Sequence, residues 1–125
     1  LNGNFPGNGR NGLPTIQGVI ALCDAANGSP LALMDSIEIT LLRTGAATAV
    51  AAKFLARPDS SVVTICGCGN QGRIQLAALR RVLPIERVFA FDQDPVQAKR
   101  FAEEVAAQGF SPAVRGAAGL KACAT

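Results

Sequence analysis

Gly67, Gly69 and Gly72 stand in the spacing G-x-G-x-x-G, and an acid, Asp92, follows about 20 residues past the last of them. Residues of these types at these distances break no bonds themselves; they bind. Gly67 permits a sharp turn, and Gly69, with no side chain, lets the backbone come up against a pyrophosphate. Gly72 lets the helix that follows lie close on the strand before it. Cys68, Asn70 and Gln71 complete the loop, whose unpaired amides at a helix start point at phosphates. Asp92 is placed to accept hydrogen bonds from an adenosine ribose. The chemistry is that of a dinucleotide cradle. Two other readings of the same residues stay open: a doubly wound domain whose glycine turn binds nothing, and a methyltransferase-like domain, which also sets an acid at the second strand end.

Arg43 and Thr44 form a second candidate. The helix reading below puts them in a first turn, where free amides favour anions. A cation is misplaced at that positive end unless an anion joins it, which favours an anion site over a plain surface charge. Cys68 is a third candidate, because a thiol between two glycines at a helix start is expected to ionise readily. There is no histidine in the chain, so any mechanism within it must use Lys, Arg, Asp, Glu, Cys or backbone groups.

The elements that would position these groups can be read from apolar spacing and turn residues. Val62 to Cys66 is a strand running straight into the glycine turn. Arg73 to Leu83 is a helix with Leu76, Leu79 and Leu83 on one face, stopped by Pro84. Arg87 to Phe91 is the second strand. Asp94-Pro95 then caps a helix whose buried face is Ala98, Phe101, Ala102 and Val105, with Gly109 ending it. Because Asp94 takes the cap, Asp92 is expected to be free for a ligand. A third strand is expected from Ser111 to Arg115. Upstream, residues 1–14 read as loop, being rich in Gly and Asn. Thr15 to Asp24 is apolar on both faces and belongs inside a sheet. Asn27-Gly28 with Ser29-Pro30 turns a hairpin into Leu31–Asp35, and Ser36–Ile39 either extends that strand or turns. Thr40 is the expected N-cap of a long helix, Leu41 to Arg57. Its run of small residues, Gly45 to Ala49, calls for something packed close. Pro58 to Ser61 is the expected hinge into the dinucleotide-binding part.

The composition bounds the rest. The 125 residues are 49% hydrophobic and 17% charged, which is globular rather than disordered. A net charge of +3 without a basic run argues against nucleic acid as partner. No apolar run reaches the length of a membrane span, so no membrane is expected. The four cysteines, Cys23, Cys66, Cys68 and Cys123, show no metal-type spacing and read as small apolar residues in a reducing cytoplasm. Asn27-Gly28-Ser29 is formally a glycosylation sequon but reads as turn chemistry. A dinucleotide fold needs roughly six strands, and the chain after Val62 has room for about half of them. The expectation is an internal fragment of a longer protein.

Several blocks in order, Gly12-Leu13-Pro14-Thr15-Ile16-Gln17-Gly18, Asn27 to Asp35, Ile39-Thr40-Leu41-Leu42-Arg43-Thr44-Gly45-Ala46-Ala47 and the glycine turn, resemble the ornithine cyclodeaminase and mu-crystallin family. The resemblance implies an α/β chain. Residues 1–58 would be part of an α+β substrate and dimerisation domain, and residues 59–125 the first half of a Rossmann-type, NAD-binding domain. It implies that Thr15, Arg43, Thr44, Gly67, Cys68, Gly69, Asn70, Gln71, Gly72 and Asp92 bind cofactor, with Arg43 also meeting the substrate carboxylate. The family's substrate lysine falls just before Leu1 and its catalytic aspartate beyond Thr125, so the segment alone is expected to be inactive. The loop carries Cys68 where the family usually has alanine, which should make it oxidisable.

In the cyclodeaminases of this family NAD takes a hydride from the amino-acid alpha carbon. The side-chain amine attacks the resulting imine, ammonia leaves, and the hydride returns, as from L-ornithine to L-proline. Relatives reduce cyclic ketimines such as pyrroline-2-carboxylate or act as alanine dehydrogenases. The resemblance therefore implies a cytoplasmic, homodimeric enzyme acting on a small amino or imino acid. Mu-crystallins, also known as lens-structural and hormone-binding proteins, keep cofactor binding without turnover open beside it.

Overall fold

The computed structural model describes residues 1–114. Arg115 and Cys123 lie outside the described residues. The chain forms two compact units, Leu1–Leu42 and a second that begins at Arg43. Among the described residues no helix is long and apolar enough to cross a membrane.

The first unit is built on an antiparallel sheet in the order β1-β2-β3, with β1 Asn2–Asn4, β2 Ile16–Cys23 and β3 Pro30–Asp35. The expected inner strand is β2, paired on both sides. Leu1–Asn11 corrects the loop reading: β1 pairs Asn2 with Gly18 and Asn4 with Ile16, and a 3-10 helix spans Pro6–Asn11. Composition hid the strand because its partner supplies the reason for it. A Cβ on Gly18 would overlap the Leu1 carbonyl and sit 2.6 Å from Ser36 Oγ, so only a bare backbone lets β1 approach. Asp24 and Asn27 close the hairpin, their carboxylate and amide oxygens accepting from Ala26 and Ser29 amides at 2.7 and 2.8 Å.

Helix α1 covers Ile37–Leu55 and so begins three residues before the expected Thr40 cap. The start is set by Asp35, whose Oδ1 accepts from the Ile37 amide at 2.6 Å, and by the Ser36 carbonyl, which accepts from the Thr40 amide at 2.8 Å. Asp35 ends a strand and opens a helix, and a single residue serving both is what the sequence pattern obscured.

The second unit carries a parallel sheet in the order β4-β5-β6, from β4 Val62–Cys66, β5 Arg87–Phe91 and β6 Ser111–Val114. Helix α2 (Asn70–Leu79) joins β4 to β5, and α3 (Pro95–Ala107) joins β5 to β6. This is the half-sheet of a Rossmann-type fold. The core lies between sheet and helices and includes Ile65, Leu76, Val88 and Ala90 with Phe101 and Val105, while Leu83 and Phe110 pack on its edge. All four residues expected on the buried face of α3 are buried. Asp94 caps it as expected, Oδ1 accepting from the Val96 amide at 2.9 Å. At its far end the Gly109 and Phe110 amides bond back to Ala106 and Val105, the pattern of a Schellman cap. Helix α2 ends at Leu79 rather than Leu83. The chain tightens there to three-residue bonds, Arg81 to Ala78 and Val82 to Leu79, before Pro84 stops it. The small residues of α1 have the expected close neighbour: a Cβ on Gly45 would stand 3.1 Å from the Ile74 carbonyl of α2.

Candidate functional site

The glycine turn and Asp92 meet because β4 and β5 are parallel and in register, Cys66 beside Phe91. Gly67 donates to the Phe91 carbonyl at 2.8 Å, so the residues just past the two strand ends fall side by side. Each glycine has its own reason. Gly67 has φ +96°, a conformation L side chains rarely adopt. A Cβ on Gly72 would overlap the Gly67 carbonyl oxygen and lie 3.0 Å from Ile65 Cγ2. Gly69 differs from both, since a Cβ there would meet nothing within 4 Å. Its φ of −79° is open to any residue, so neither backbone nor neighbours in the chain demand glycine. What a side chain at Gly69 would obstruct is the space outside.

That space is an open-sided cleft of about 260 Å³ lined by Thr64, Cys66, Gly67, Gly69, Gln71 and Gln75, among others. Gly69 is the N-cap of α2 and gives its amides no side-chain acceptor. Gln71 Oε1 is buried there without a hydrogen-bond partner. Bare backbone and helix-start amides at one cleft fit the pyrophosphate of a dinucleotide.

Asp92 is not free, contrary to expectation. Its Oδ2 accepts from the Cys68 amide at 2.7 Å and its Oδ1 from the Asp94 amide at 3.0 Å. The Asp94 amide, and then the Cys68 amide, hold the carboxyl below its ordinary range. The acid therefore braces the turn as well as standing at the strand end. A carboxylate has about four lone-pair positions, so acceptor capacity remains for a ribose.

Cys68 also departs from expectation. It is fully buried, with Sγ 3.5 Å from the Phe91 carbonyl it donates to. Burial pushes its thiol up, and the neighbouring Asp92 charge pushes the same way. The helix start does not make a reactive thiolate because the side chain turns into the core. The exposed cysteine of the site is Cys66.

Thr15, exposed, precedes β2 in the first unit, its carbonyl accepting from the Phe5 amide at 2.7 Å. Arg43 is exposed and Thr44 half-buried, both in the second turn of α1. The argument that free amides surround Arg43 is thereby overturned, since amides at that depth bond within the helix. Sequence reading missed Arg73 and Glu104. Arg73 Nη1 donates to the Cys68 carbonyl at 2.6 Å, while Nε and Nη2 donate to the Glu104 carboxylate at 2.6 and 2.8 Å. No local signal marks a pair 31 residues apart; only the packing of α3 beside α2 joins them.

Set against known proteins, residues 1–119 match the profile of the ornithine cyclodeaminase/mu-crystallin family. The chain is 45% identical over 120 residues to an alanine dehydrogenase from Archaeoglobus fulgidus, covering 96% of this chain and 37% of that one. It is 45% identical over 97 residues to the L-lysine cyclodeaminase of Streptomyces rapamycinicus, covering 78% of this chain and 28% of that one. The chain thus spans roughly a third of the length of these curated relatives. Among solved structures, the Thermococcus litoralis Delta(1)-pyrroline-2-carboxylate reductase in complex with NADH and L-proline superposes with a TM-score of 0.85 at 43% identity, over 91% of this chain and 36% of that one.

Proposed function

Because the chain belongs to the ornithine cyclodeaminase/mu-crystallin family, we propose that it binds NAD in the glycine-turn cleft and serves hydride transfer at the alpha carbon of an amino or cyclic imino acid. L-ornithine to L-proline with release of ammonia is the form we put first, with reduction of pyrroline-2-carboxylate or dehydrogenation of alanine as sister activities. The relatives support the class: a cyclodeaminase, a dehydrogenase and a reductase all align over most of this chain. The observation that carries the cofactor is Gly69, a glycine that lines the cleft and whose side-chain space is open.

When bound, NAD supplies the acceptor and donor of the hydride. The protein's part is to bind and orient. Gly69, Asn70, Gln71 and Gly72 offer backbone amides to the pyrophosphate, Gly67 and Cys68, whose own amides bond Phe91 and Asp92, shape the turn beneath it, and Asp92 takes the ribose hydroxyls. Thr15 and Thr44 are assigned to the cofactor and Arg43 to its phosphate and the substrate carboxylate, on family likeness. By the same likeness we assign residues 1–58 to a substrate and dimerisation domain and residues 59–125 to the cofactor domain, a boundary 16 residues past the Leu42 end of the first compact unit. Exposed apolar side chains on β3, Leu31 and Leu33, suit a surface that a homodimer or the rest of a longer chain would cover.

Asp92 makes the choice of cofactor testable. A 2′-phosphate would bring like charge against a carboxylate already held ionised. The following residues, Gln93, Asp94 and Pro95, provide no cation. In titrations of the full-length protein NAD(H) should bind at least about tenfold tighter than NADP(H), roughly 1.4 kcal/mol. Asp92→Ser with Gln93→Arg should narrow or reverse the ratio. A wild type that prefers NADP(H) would show that Asp92 does not face the ribose.

A further inference from the structure

The two peptides that flank Cys68 are each held by a side chain from elsewhere in the fold. The Cys68 amide donates to Asp92 at 2.7 Å, and the Cys68 carbonyl accepts from Arg73 at 2.6 Å. Arg73 is itself held, its other two nitrogens donating to both oxygens of Glu104 on α3 and its guanidinium lying 5.7 Å from the Phe101 ring centre. A two-pronged pair of this kind fixes the plane of the guanidinium as well as its position. The consequence falls on Gly69. In a planar trans peptide the N–H points opposite to the preceding C=O, and no cis peptide occurs among the described residues. Once Arg73 fixes the Cys68 carbonyl, the direction of the Gly69 N–H, on the side lacking that guanidinium, is fixed too.

We propose that Arg73, anchored by Glu104, is a positioning residue that sets the Gly69 amide for the pyrophosphate of the bound dinucleotide. The inference rests on the reading that the glycine turn takes a pyrophosphate. Without the anchor the peptide can rotate, and the amide spends part of its time turned from the ligand. The loss falls on ligands that carry a pyrophosphate and spares those that carry only the nucleoside.

The test uses the full-length protein and two probes, ADP and adenosine, titrated against wild type, Arg73→Gln and Glu104→Gln, with thermal unfolding of each. Wild type should bind ADP clearly tighter than adenosine. Arg73→Gln should weaken ADP about tenfold and leave adenosine within about twofold. Glu104→Gln removes the charge pair but leaves Arg73 able to reach the Cys68 carbonyl. It should lower the melting temperature about as much as Arg73→Gln while costing ADP only about threefold. ADP losses that track the fall in melting temperature equally in both variants, or an Arg73→Gln protein that weakens both probes alike, would make the pair a structural brace and overturn the proposal. A wild type that does not favour ADP over adenosine would overturn the pyrophosphate reading itself, and the inference with it.

Discussion

Cys66 and Cys68 are two residues apart and lead opposite lives. Cys66 is exposed on the cleft, whereas Cys68 has its sulfur in the core and a thiol pushed up by burial and by Asp92. Sequence alone favoured Cys68 as the reactive one, because a helix start lowers a thiol's pKa and nothing local says which way the side chain turns. A thiol reagent at neutral pH should therefore modify Cys66, and Cys68 only on unfolding. NAD should slow labelling at Cys66, as read by peptide mass mapping of the full-length protein. Rapid labelling of Cys68 in the folded protein would contradict this placement. Asp92 teaches the complementary lesson. Its place at the strand end was legible from spacing, but its bonds to Cys68 and Asp94 were not, because they depend on two parallel strands ending level.

At the scale of elements, the strands and helices of the second unit were legible because each carries its own boundary mark. Pro84 follows the α2 region, Asp94-Pro95 opens α3, and Gly109 follows its close. The first unit was less so. β1 exists because Gly18 lets it approach, and α1 starts early because Asp35 and Ser36 receive its first amides; both causes are tertiary or shared between elements. Gly72 is where an element depends on one missing atom. Gly72→Ala would drive a Cβ into the Gly67 carbonyl, and backbone cannot yield as a flexible side chain can. It should destabilise the full-length protein by roughly 1–3 kcal/mol. The check is the midpoint of a urea transition at unchanged slope; an unchanged midpoint would mean α2 does not sit this close to β4.

For the molecule as a whole, the family was legible because its blocks follow one another along nearly the whole chain, and residues 1–119 match its profile. The side-chain contacts that brace the site were not legible, since Arg73 and Glu104 meet only through the packing of two helices. The central claim is that the glycine turn is shaped for a dinucleotide, and Gly69 isolates it. Alanine there fits the backbone, meets nothing within 4 Å beyond its chain neighbours and stands at a residue that lines the cleft. The decisive measurement is an NADH titration of full-length wild type and Gly69→Ala, beside their thermal unfolding. We expect the variant to lose no more than about 1 kcal/mol of stability, the cost of alanine at an N-cap, and NADH to bind at least about tenfold more weakly to it. Equal NADH affinity in the two proteins would contradict the account, because the space Gly69 leaves open would then not be where the cofactor lies.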